Sequence, residues 1–512
     1  MGTQATGPLV VGVDSSTQST KALVVDAATG EVVARGQAPH VVTGGTAFSS
    51  TASGSAASGG TASGGAASGG AASGGAASGN AGKESDPKQW WRALGEALDR
   101  CGDAVRQAAA VSVAGQQHGL VSLDASGRPV RPALLWNDVR SAPQHRRLLD
   151  KFGGPQEWAR RVGSVPLPAF TVTKWAWLRE NEPAAADATA AVRLPHDYLT
   201  ERLSGEAVTD RGDASGTGWW SPAGESYDEE ILGHIGLDPK ALPRVALPGE
   251  AAGTVRTGDL PLPHGALVAA GTGDNMAAAL GLGLRPGQPV LSLGTSGTVY
   301  VVSTRRPPGD PTGTVAGFAD ARGDWLPLAC TLNCTLAVDR IAALLGLERE
   351  DVEPGGTAVV LPFLDGERTP DLPHASGLLH GLRHDTTRGQ LLQAAYDGAA
   401  FALLQALDRI VDEDVPADAP LFLIGGGARG RAWRDTVRRL SGRPVVVPEA
   451  GELVALGAAA QAAGLLLGED PAAVARRWGT ARGAEYEAVP CDTTARERLA
   501  RTLAEGGPLL GA

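Results

Sequence analysis

Two segments far apart in the chain share one pattern of apolar and polar positions. Residues 10–26 read VVGVDSSTQSTKALVVD, and residues 290–302 read VLSLGTSGTVYVV. In each, two Val-rich runs flank a stretch of Gly, Ser and Thr, which is the pattern of a β-hairpin with a small-residue turn. Such a turn lets backbone and hydroxyl donors surround the oxygens of a phosphate group. The repeat predicts two related domains that close on a nucleotide.

The remaining apolar patterns alternate between strand and helix periods. Asp86 followed by Pro87 is a typical helix start and predicts a helix over residues 87–101. Apolar residues recur at helical spacing from Thr387 to about Asp412, which predicts a long amphipathic helix. A mixed α/β architecture in two halves is therefore the predicted fold class. The other predicted elements are strands at 110–114, 266–270 and 421–424 and a mostly helical stretch at 141–205.

Two segments of biased composition mark the domain organisation. The Pro- and Gly-rich span 247–265 is the best candidate for a linker, so we predict an N-terminal domain over residues 8–255 and a C-terminal domain over residues 262–500. Residues 43–82 consist almost wholly of Gly, Ala, Ser and Thr. Such residues bury too little surface to offset the entropy of ordering, which predicts a flexible insertion within the first domain.

The composition narrows the range of partners. The formal net charge is -11 over 512 residues, and no basic stripe is available to neutralise nucleic-acid phosphates. No apolar run reaches the length of a membrane span, and the N-terminus lacks the pattern of a signal peptide. The four cysteines form no C-x-x-C pair and are expected to be reduced. We therefore expect a cytoplasmic protein that binds a small molecule, without nucleic-acid or membrane partners.

The first hairpin carries two charged residues beside its turn. Asp14 ends the first apolar run, where a carboxylate would repel phosphate unless Mg²⁺ lies between them, directly or through water. The structural alternative is that Asp14 caps the turn. Lys21 lies on the returning strand, where it either reaches a phosphate or is solvated.

A third carboxylate follows a strand and a glycine turn in the second half. Asp274 stands at or near the start of a helix of small residues. An ordinary N-cap is the structural alternative. A carboxylate near a phosphate site can instead take the proton of an attacking hydroxyl group. The helix dipole and the amide donors at this position are expected to favour its ionised form.

Two polar clusters follow apolar strands in the first half. Gln117 and His118 stand between glycines that permit close approach, which fits hydrogen bonding to a polyol. A lone His is, however, more often a structural group than a catalytic one. Asp138 and Arg140 follow Trp136, and their structural alternative is a mutual ion pair.

A glycine-rich turn near the C-terminus supports a competing hypothesis. Residues 425–430 satisfy G-x-G-x-x-G between a predicted strand and a helix, and Glu449 lies about the right distance beyond to bind a ribose. A dinucleotide-binding dehydrogenase is therefore an alternative. It leaves the two hydroxyl-rich hairpins unexplained, and its fingerprint normally opens a domain. No P-loop and no His/Cys metal-ligand cluster is present in the sequence.

Two longer segments carry a resemblance to a known family. Residues 377–397 match one signature of the FGGY carbohydrate kinases, and residues 169–181 match the other except at Ala169. The similarity covers nearly the whole chain outside the insertion. The motifs at 115–119, 136–140, 273–275 and 361–370 are similar to those of the members that phosphorylate a ketopentose.

The resemblance implies two actin-like, ribonuclease-H-like domains with ATP and a sugar in the cleft between them. It implies Asp274 as the base and Asp14 as a second catalytic carboxylate that holds Mg²⁺ near ATP. Predicted sugar contacts are Gln117, His118, Trp136, Asp274 and Asn275. Predicted nucleotide contacts are Thr17, Gln18, Lys21, Thr295, Gly426 and Gly427. A homodimer is an expectation at the level of the family.

The implied activity is ATP-dependent phosphorylation of D-xylulose at its terminal hydroxyl group, in pentose catabolism. The same chemistry on L-ribulose, a deoxy-ketose or glycerol is the nearest alternative, because pocket shape and a few hydroxyl contacts decide the sugar. A non-catalytic actin-like ATP switch and the NAD-dependent dehydrogenase are alternatives of a different class.

Overall fold

Each of the two repeated segments opens a seven-stranded sheet in the computed structural model, which describes residues 7–40, 82–411 and 415–511. The strands of the first sheet are β1 (Leu9–Ser15), β2 (Ser19–Asp26), β3 (Val32–Pro39), β4 (Ala108–Gly115), β5 (Ala251–Thr254), β6 (Leu267–Ala269) and β7 (Thr272–Gly273). Those of the second are β8 (Pro289–Leu293), β9 (Gly297–Val301), β10 (Val315–Ala319), β11 (Trp325–Thr331), β12 (Leu421–Ile424), β13 (Val445–Pro448) and β14 (Gly483–Tyr486).

The two sheets share one strand order. The first runs β5-β6-β4-β1-β2-β3, and the short β7 also pairs with β4. The second runs β10-β11-β9-β8-β12-β13-β14. In each, a hairpin (β1 with β2, β8 with β9) continues into two parallel strands (β4 and β6, β12 and β13) and ends on an antiparallel edge strand. The predicted α/β fold with two related halves is confirmed.

Helices pack on the faces of both sheets. Those of the first half are α1 (Pro87–Asp99), α2 (Ala142–Lys151), α3 (Pro155–Val162), α4 (Thr171–Asn181), α5 (Pro183–Asp187), α6 (Pro195–Ser204), α7 (Arg211–Ala214), α8 (Glu229–Ile235) and α9 (Asp274–Gly281). Those of the second are α10 (Thr335–Leu345), α11 (Arg388–Ile410), α12 (Arg431–Ser441), α13 (Leu453–Leu467), α14 (Pro471–Trp478) and α15 (Thr493–Leu510). Short two-stranded ladders join Glu84–Ser85 to Ala133–Leu134, Val121–Leu123 to Ala191–Arg193, Val208–Thr209 to Arg244–Val245, Trp220–Ser221 to Ser226–Tyr227, and Val359–Leu361 to Leu378–His380.

Local sequence accounts for these elements. Every residue of β1 and β2 is buried, as expected of near-continuous apolar strands that are covered on both faces. The carboxylate of Asp86 accepts a hydrogen bond from the Lys88 amide and starts α1 as predicted. A capping box starts α11, because Thr387 and Gln390 each bind the other's backbone amide. The predicted long helix is therefore confirmed, with its last helical residue at Ile410.

The first sheet extends past the predicted domain boundary at residues 255–262. Strand β6, which was expected to open the second domain, pairs in parallel with β4, and β7 pairs with β4 as well. The predicted linker at 247–265 instead contains β5 and the turn that leads antiparallel into β6. Its Pro and Gly residues thus serve a turn within one sheet, and the chain enters the second sheet only at β8.

One helix of the second half returns to the first sheet. Helix α13 packs on β1 and against α9, and its small residues let the backbones approach closely. A Cβ atom added at Gly12 would lie 2.0 Å from the Ala455 carbonyl oxygen, and one added at Gly457 would lie 1.8 Å from that of Ala277. Glycine is therefore required at both crossings, and the two halves share this packing.

Three further predictions concern the chain as a whole. All four cysteines are free thiols, as predicted. Within the described residues no single helix is long and apolar enough to span a membrane; α13 and α14 would meet the length and composition test only as a pair bent by 114°. The predicted flexible insertion at 43–82 lies, apart from Gly82, outside the described residues.

Candidate active site

Two adjoining cavities are lined by residues of both sheets, including Asp14 and Lys21 of the first hairpin and Ser296 and Thr298 of the second. The first, here called the polar cavity, is lined by Asp14, Lys21, Asp274, Ser292, Gly425 and Glu452 among others. The second, the aromatic cavity, is lined by Gln117, His118, Trp136, Phe170, Phe318 and Arg368 among others. Both include Asp274, Asn275, Ser296 and Thr298. The sequence-predicted carboxylates and polyol contacts therefore meet in one continuous site.

Asp14 lies at the end of β1 with its side chain buried in the polar cavity. Its Oδ1 atom has no hydrogen-bond partner among the described residues, so the turn-capping alternative does not account for that oxygen. Burial raises the pKa of Asp14 to about 7, Lys21 opposes that rise, and Glu452 adds to it. The carboxylate is thus placed where a cation would relieve an energetic cost.

Lys21 faces Asp14 across the hairpin but forms an ion pair with the second half of the chain. Its Nζ atom lies 2.6 Å from Oε2 of Glu452, just before α13. Lys21 is 6% exposed, which excludes the solvated alternative. The pair connects the first hairpin to the helix that returns from the second half.

Asp274 is the first residue of α9 and lies between the two cavities. Its Oδ1 atom accepts hydrogen bonds from the backbone and side-chain nitrogens of Asn275, at 2.9 and 3.1 Å. The predicted preference for the ionised form is wrong. Burial, together with the negative charges of Asp14 and Asp213, raises the pKa of Asp274 to about 8 and outweighs the backbone hydrogen bonds that lower it.

A buried charge cluster lies behind Asp274 and was not predicted. His196 is fully buried, with Nδ1 2.8 Å from Asp213 and Nε2 3.2 Å from Asp197. Burial lowers the pKa of His196, but Asp197 and Asp213 outweigh it and raise that pKa to about 9. Asp197 adjoins His196 on α6, but Asp213 lies 17 positions further along the chain on α7. The sequence gives no sign that these ordinary polar residues come together.

Gln117 and His118, the predicted sugar contacts, follow β4 and line the aromatic cavity. The Gln117 side-chain oxygen Oε1 accepts a hydrogen bond of 2.8 Å from the Asn275 side chain. His118 stacks on Phe170 at 4.6 Å, and its Nδ1 atom lies 2.7 Å from the Gly216 carbonyl oxygen. Burial lowers the pKa of His118 to about 3, so the ring is neutral. Since a carbonyl oxygen can only accept, Nδ1 carries the proton and Nε2 is an acceptor.

Trp136, a predicted sugar contact that lines the aromatic cavity, is hydrogen-bonded to Thr17. Trp136 donates from Nε1 to the Thr17 hydroxyl oxygen at 3.0 Å, and that hydroxyl donates to Gln116 at 3.1 Å. Among the described residues, Thr17 and Gln18 line neither cavity. The structure thus places Thr17 beside a predicted sugar contact, although it was predicted to contact the nucleotide.

Of the other predicted nucleotide residues, Lys21 lines the polar cavity, and the rest lie within two positions of its second-sheet lining residues Ser296 and Gly425. Thr295 lies exposed at the turn between β8 and β9. Gly426 and Gly427 begin a short 3-10 helix after β12, and a Cβ atom added at Gly426 would meet nothing within 4 Å. Gly425, which precedes them, lines the polar cavity. Glu452 also lines it and carried no recognisable signal in the sequence.

Of the two segments with family signatures, the first along the chain, residues 169–181, has a structural role beside this site. In the first, Lys174 of α4 is buried and donates to three carbonyl oxygens, those of Asp138, Pro168 and Ala169, at 3.2, 3.0 and 2.7 Å. Burial lowers the pKa of Lys174 to about 7. Asp138 also pairs with Arg140 at 2.6 Å, which confirms the structural alternative for those two residues.

Comparison with known proteins gives the family. Residues 77–281 match the N-terminal domain of the FGGY family of carbohydrate kinases, and residues 290–465 match the C-terminal domain. The chain is 69% identical to the xylulose kinase of Streptomyces coelicolor over 99% of its own length and 98% of that protein, and 68% identical over the same shares to that of Streptomyces rubiginosus. The crystal structure of xylulose kinase from Bifidobacterium adolescentis superimposes with a TM-score of 0.79 at 33% identity, covering 97% of this chain and 99% of that one.

The chain belongs to the FGGY family of carbohydrate kinases. As an FGGY kinase it uses ATP to phosphorylate a sugar, so the dehydrogenase and the non-catalytic ATP switch are both excluded. The G-x-G-x-x-G run at 425–430 therefore does not mark a dinucleotide-binding fold. In this FGGY kinase it is the turn by which β12 approaches the polar cavity.

Proposed function

We propose that this FGGY kinase transfers the γ-phosphoryl group of ATP to the terminal hydroxyl group of D-xylulose. The observation that carries the proposal is the 69% identity to a xylulose kinase over nearly the full length of both chains. The aromatic cavity supports it, since neutral polar groups of Gln117, His118 and Asn275 line it beside aromatic rings. Such a lining suits a small uncharged polyol.

Asp274 is the proposed general base. It lies in both cavities, so a hydroxyl group in the aromatic cavity would meet it on the way to a phosphate in the polar cavity. A pKa of about 8 places this carboxylate near the ambient pH, where proton transfer is most effective. Because the charge of Asp14 contributes to that high pKa, neutralising Asp14 lowers it and favours the ionised base.

The donors of the polar cavity fit a nucleotide with Mg²⁺. When bound, Mg²⁺ neutralises charge on the transferring phosphoryl group. Asp14 would hold it, because its buried Oδ1 atom lacks a protein partner and carboxylate oxygens are suited to this ion. The described residues contain no cluster of three metal-binding side chains. This agrees with an ion held by one carboxylate, water and phosphate oxygens.

Lys21 of the first hairpin and three residues at turns of the second sheet are the proposed nucleotide contacts. Thr295, Gly426 and Gly427 lie at the turns that border the polar cavity, and Lys21 lies inside it. Thr17 and Gln18 stay predictions, because the Thr17 hydroxyl group is bound to Trp136 and Gln116 and Gln18 adjoins it. The cytoplasmic location and the homodimer likewise stay predictions.

The test is a coupled assay of ADP release with D-xylulose as acceptor, followed by mass spectrometry of the sugar phosphate. L-ribulose, a deoxy-ketose and glycerol serve as competing acceptors. We expect the highest kcat/KM with D-xylulose. A higher kcat/KM with another acceptor would change the assigned sugar but not the chemistry.

The role of Asp274 is tested with Asp274→Asn, which keeps the size of the side chain. We expect kcat to fall by roughly 10² to 10⁴. Asp238→Asn is the matched control, because Asp238 is an exposed capping residue far from both cavities and should retain full activity. Turnover of the Asp274 variant within tenfold of the original enzyme would exclude Asp274 as the base.

A further inference from the structure

One cation in the aromatic cavity has no role in the mechanism above. Of the residues that line the cavity, Arg368 is the one with a permanent positive charge, and Asp274 is the one carboxylate. Across the part of the chain that the structure describes, Arg368 has no carboxylate within ion-pair distance. A guanidinium group beside a cavity without a protein anion retains donors for a ligand.

The backbone on both sides of Arg368 is firmly held. Glu367 is 1% exposed, and its carboxylate accepts hydrogen bonds from the backbone amides of Leu332 and Asn333. Thr369 is 2% exposed and donates from its hydroxyl group to the Cys330 carbonyl oxygen at 2.7 Å. The segment is therefore tied to the end of β11, and its one unburied side chain is that of Arg368. The hydrogen bonds of Glu367 and Thr369 therefore fix the backbone from which the Arg368 side chain can reach a ligand.

Arg368 lines the same cavity as Gln117 and His118, which are predicted to contact the sugar. Burial is the main reason that the pKa of His118 is low, and the positive charges of Lys174 and Arg368 lower it further. Arg368 also lies close enough to Cys330 to lower the pKa of that thiol, against the larger effect of burial. Arg368, His118 and Cys330 all line the aromatic cavity, which is consistent with these two effects.

The hydrogen-bonding capacities in the cavity are complementary. His118 offers an acceptor at Nε2, while the side chains of Gln117 and Asn275 can bind hydroxyl groups. Arginine has five N–H donors and no acceptor. The hydroxyl groups of a ketose can donate or accept, but its carbonyl oxygen can only accept. The carbonyl oxygen therefore needs a donor, and Arg368 is the one permanently charged donor among the residues that line this cavity.

We propose that Arg368 donates hydrogen bonds to the carbonyl oxygen of the ketose and so selects the ketose over the polyol of the same carbon skeleton. The proposal rests on the proposed function, and it deepens that function by naming the group that recognises the keto carbon. A hydroxyl group in that position can turn its proton toward another acceptor. Loss of Arg368 should therefore weaken a polyol less than a ketose.

The experiment compares Arg368→Gln, Arg368→Lys and the original enzyme. The KM for D-xylulose is measured together with the inhibition constant of xylitol, the polyol with the same skeleton. We expect Arg368→Gln to raise the KM for D-xylulose about 10- to 100-fold, the loss expected for a charge-assisted hydrogen bond. The inhibition constant of xylitol should change less than about threefold, and Arg368→Lys should recover part of the ketose affinity.

Controls separate this result from misfolding and from the proposed function. Arg383→Gln alters an exposed arginine of the same half and should leave both constants unchanged. The KM for ATP and the melting temperature of Arg368→Gln should match those of the original enzyme. Equal weakening of ketose and polyol, or a fall in kcat alone, would overturn the proposal, the latter by indicating a phosphoryl contact. Failure of the original enzyme to phosphorylate D-xylulose would instead overturn the proposed function.

Discussion

Asp14 and Asp274 bring two carboxylates into one cleft that partly shields them from water. The pKa values of both are raised, chiefly by burial, and the charge of Asp14 raises that of Asp274 further. Two such groups cost folding free energy whenever they are ionised. Ionised Asp274 therefore lowers the free energy of unfolding, and this effect can be measured.

Asp274→Asn should stabilise the protein in a pH-dependent manner. The folded-state pKa of Asp274 is about 8 against an ordinary value of 3.8 for this side chain, so the folded protein binds the extra proton between these values. Its stability relative to the unfolded chain consequently falls as the pH rises through that window. Asn carries no charge and removes the penalty. The gain should grow by up to about 1.4 kcal/mol per pH unit between pH 5 and pH 8 and level off above the folded-state pKa.

Thermal and urea unfolding of the two proteins between pH 5 and pH 8.5, without ligands, measures this gain. Asp238→Asn should show a constant difference across the range, because Asp238 is exposed. A gain for Asp274→Asn that stays constant or shrinks with rising pH would contradict the electrostatic explanation.

Residue types alone indicated the identity of the central groups but not their state. Asp14, Asp274, Gln117 and His118 were predicted because each follows an apolar strand, and all four line the two cavities. The ionisation preference of Asp274 was predicted wrongly, because burial and neighbouring charges depend on distant parts of the chain. The Lys21 pair with Glu452 spans 431 positions and carried no local signal.

At the scale of elements, the sequence predicted individual hairpins and helices but not which elements pair or pack with one another. Both hairpins, α1, α11 and β12 were predicted from periodicity and caps, which are local properties. The membership of β6 in the first sheet was missed, since strand pairing is set by tertiary contacts that the pattern does not reveal. The close contact of α13 with β1 and α9 was missed for the same reason.

The close contact of α13 with α9 requires glycine at position 457, and a substitution can test this. Replacing it by Ala places a methyl group 1.8 Å from the Ala277 carbonyl oxygen, so the two helices must separate. We expect Gly457→Ala to destabilise the protein by about 1–3 kcal/mol, the usual effect of overpacking. Gly233 of α8 is the matched control, because a Cβ atom there meets nothing within 4 Å.

Urea unfolding measures both variants. Gly233→Ala should be neutral or stabilising by up to about 1 kcal/mol, since Ala favours a helix. Equal effects of the two substitutions would show that helix propensity, and not the close approach of α13 to α9, controls stability at Gly457.

At the scale of the whole molecule, α13 makes the first sheet dependent on the second half of the chain. One apolar cluster combines Val10 and Leu23 of the first hairpin with Ala455, Leu456 and Ala459 of α13. The cluster joins residues more than 400 positions apart, so a chain cut between the sheets loses one side of it. The Lys21–Glu452 ion pair is lost as well, which leaves a buried ammonium group unpaired.

A fragment that ends at residue 285, after α9, should therefore fail to fold by itself. It retains all seven strands of the first sheet, yet without α13 it exposes the apolar face of β1. We expect no cooperative thermal transition by circular dichroism, whereas the full chain should unfold with its two sheets in a single calorimetric transition. Adding a peptide of residues 450–480 should restore cooperative melting to the fragment, because that peptide supplies α13 and α14. Cooperative melting of the fragment without the peptide would show that the first sheet is stable without this packing, and the two halves would then be independent folding units.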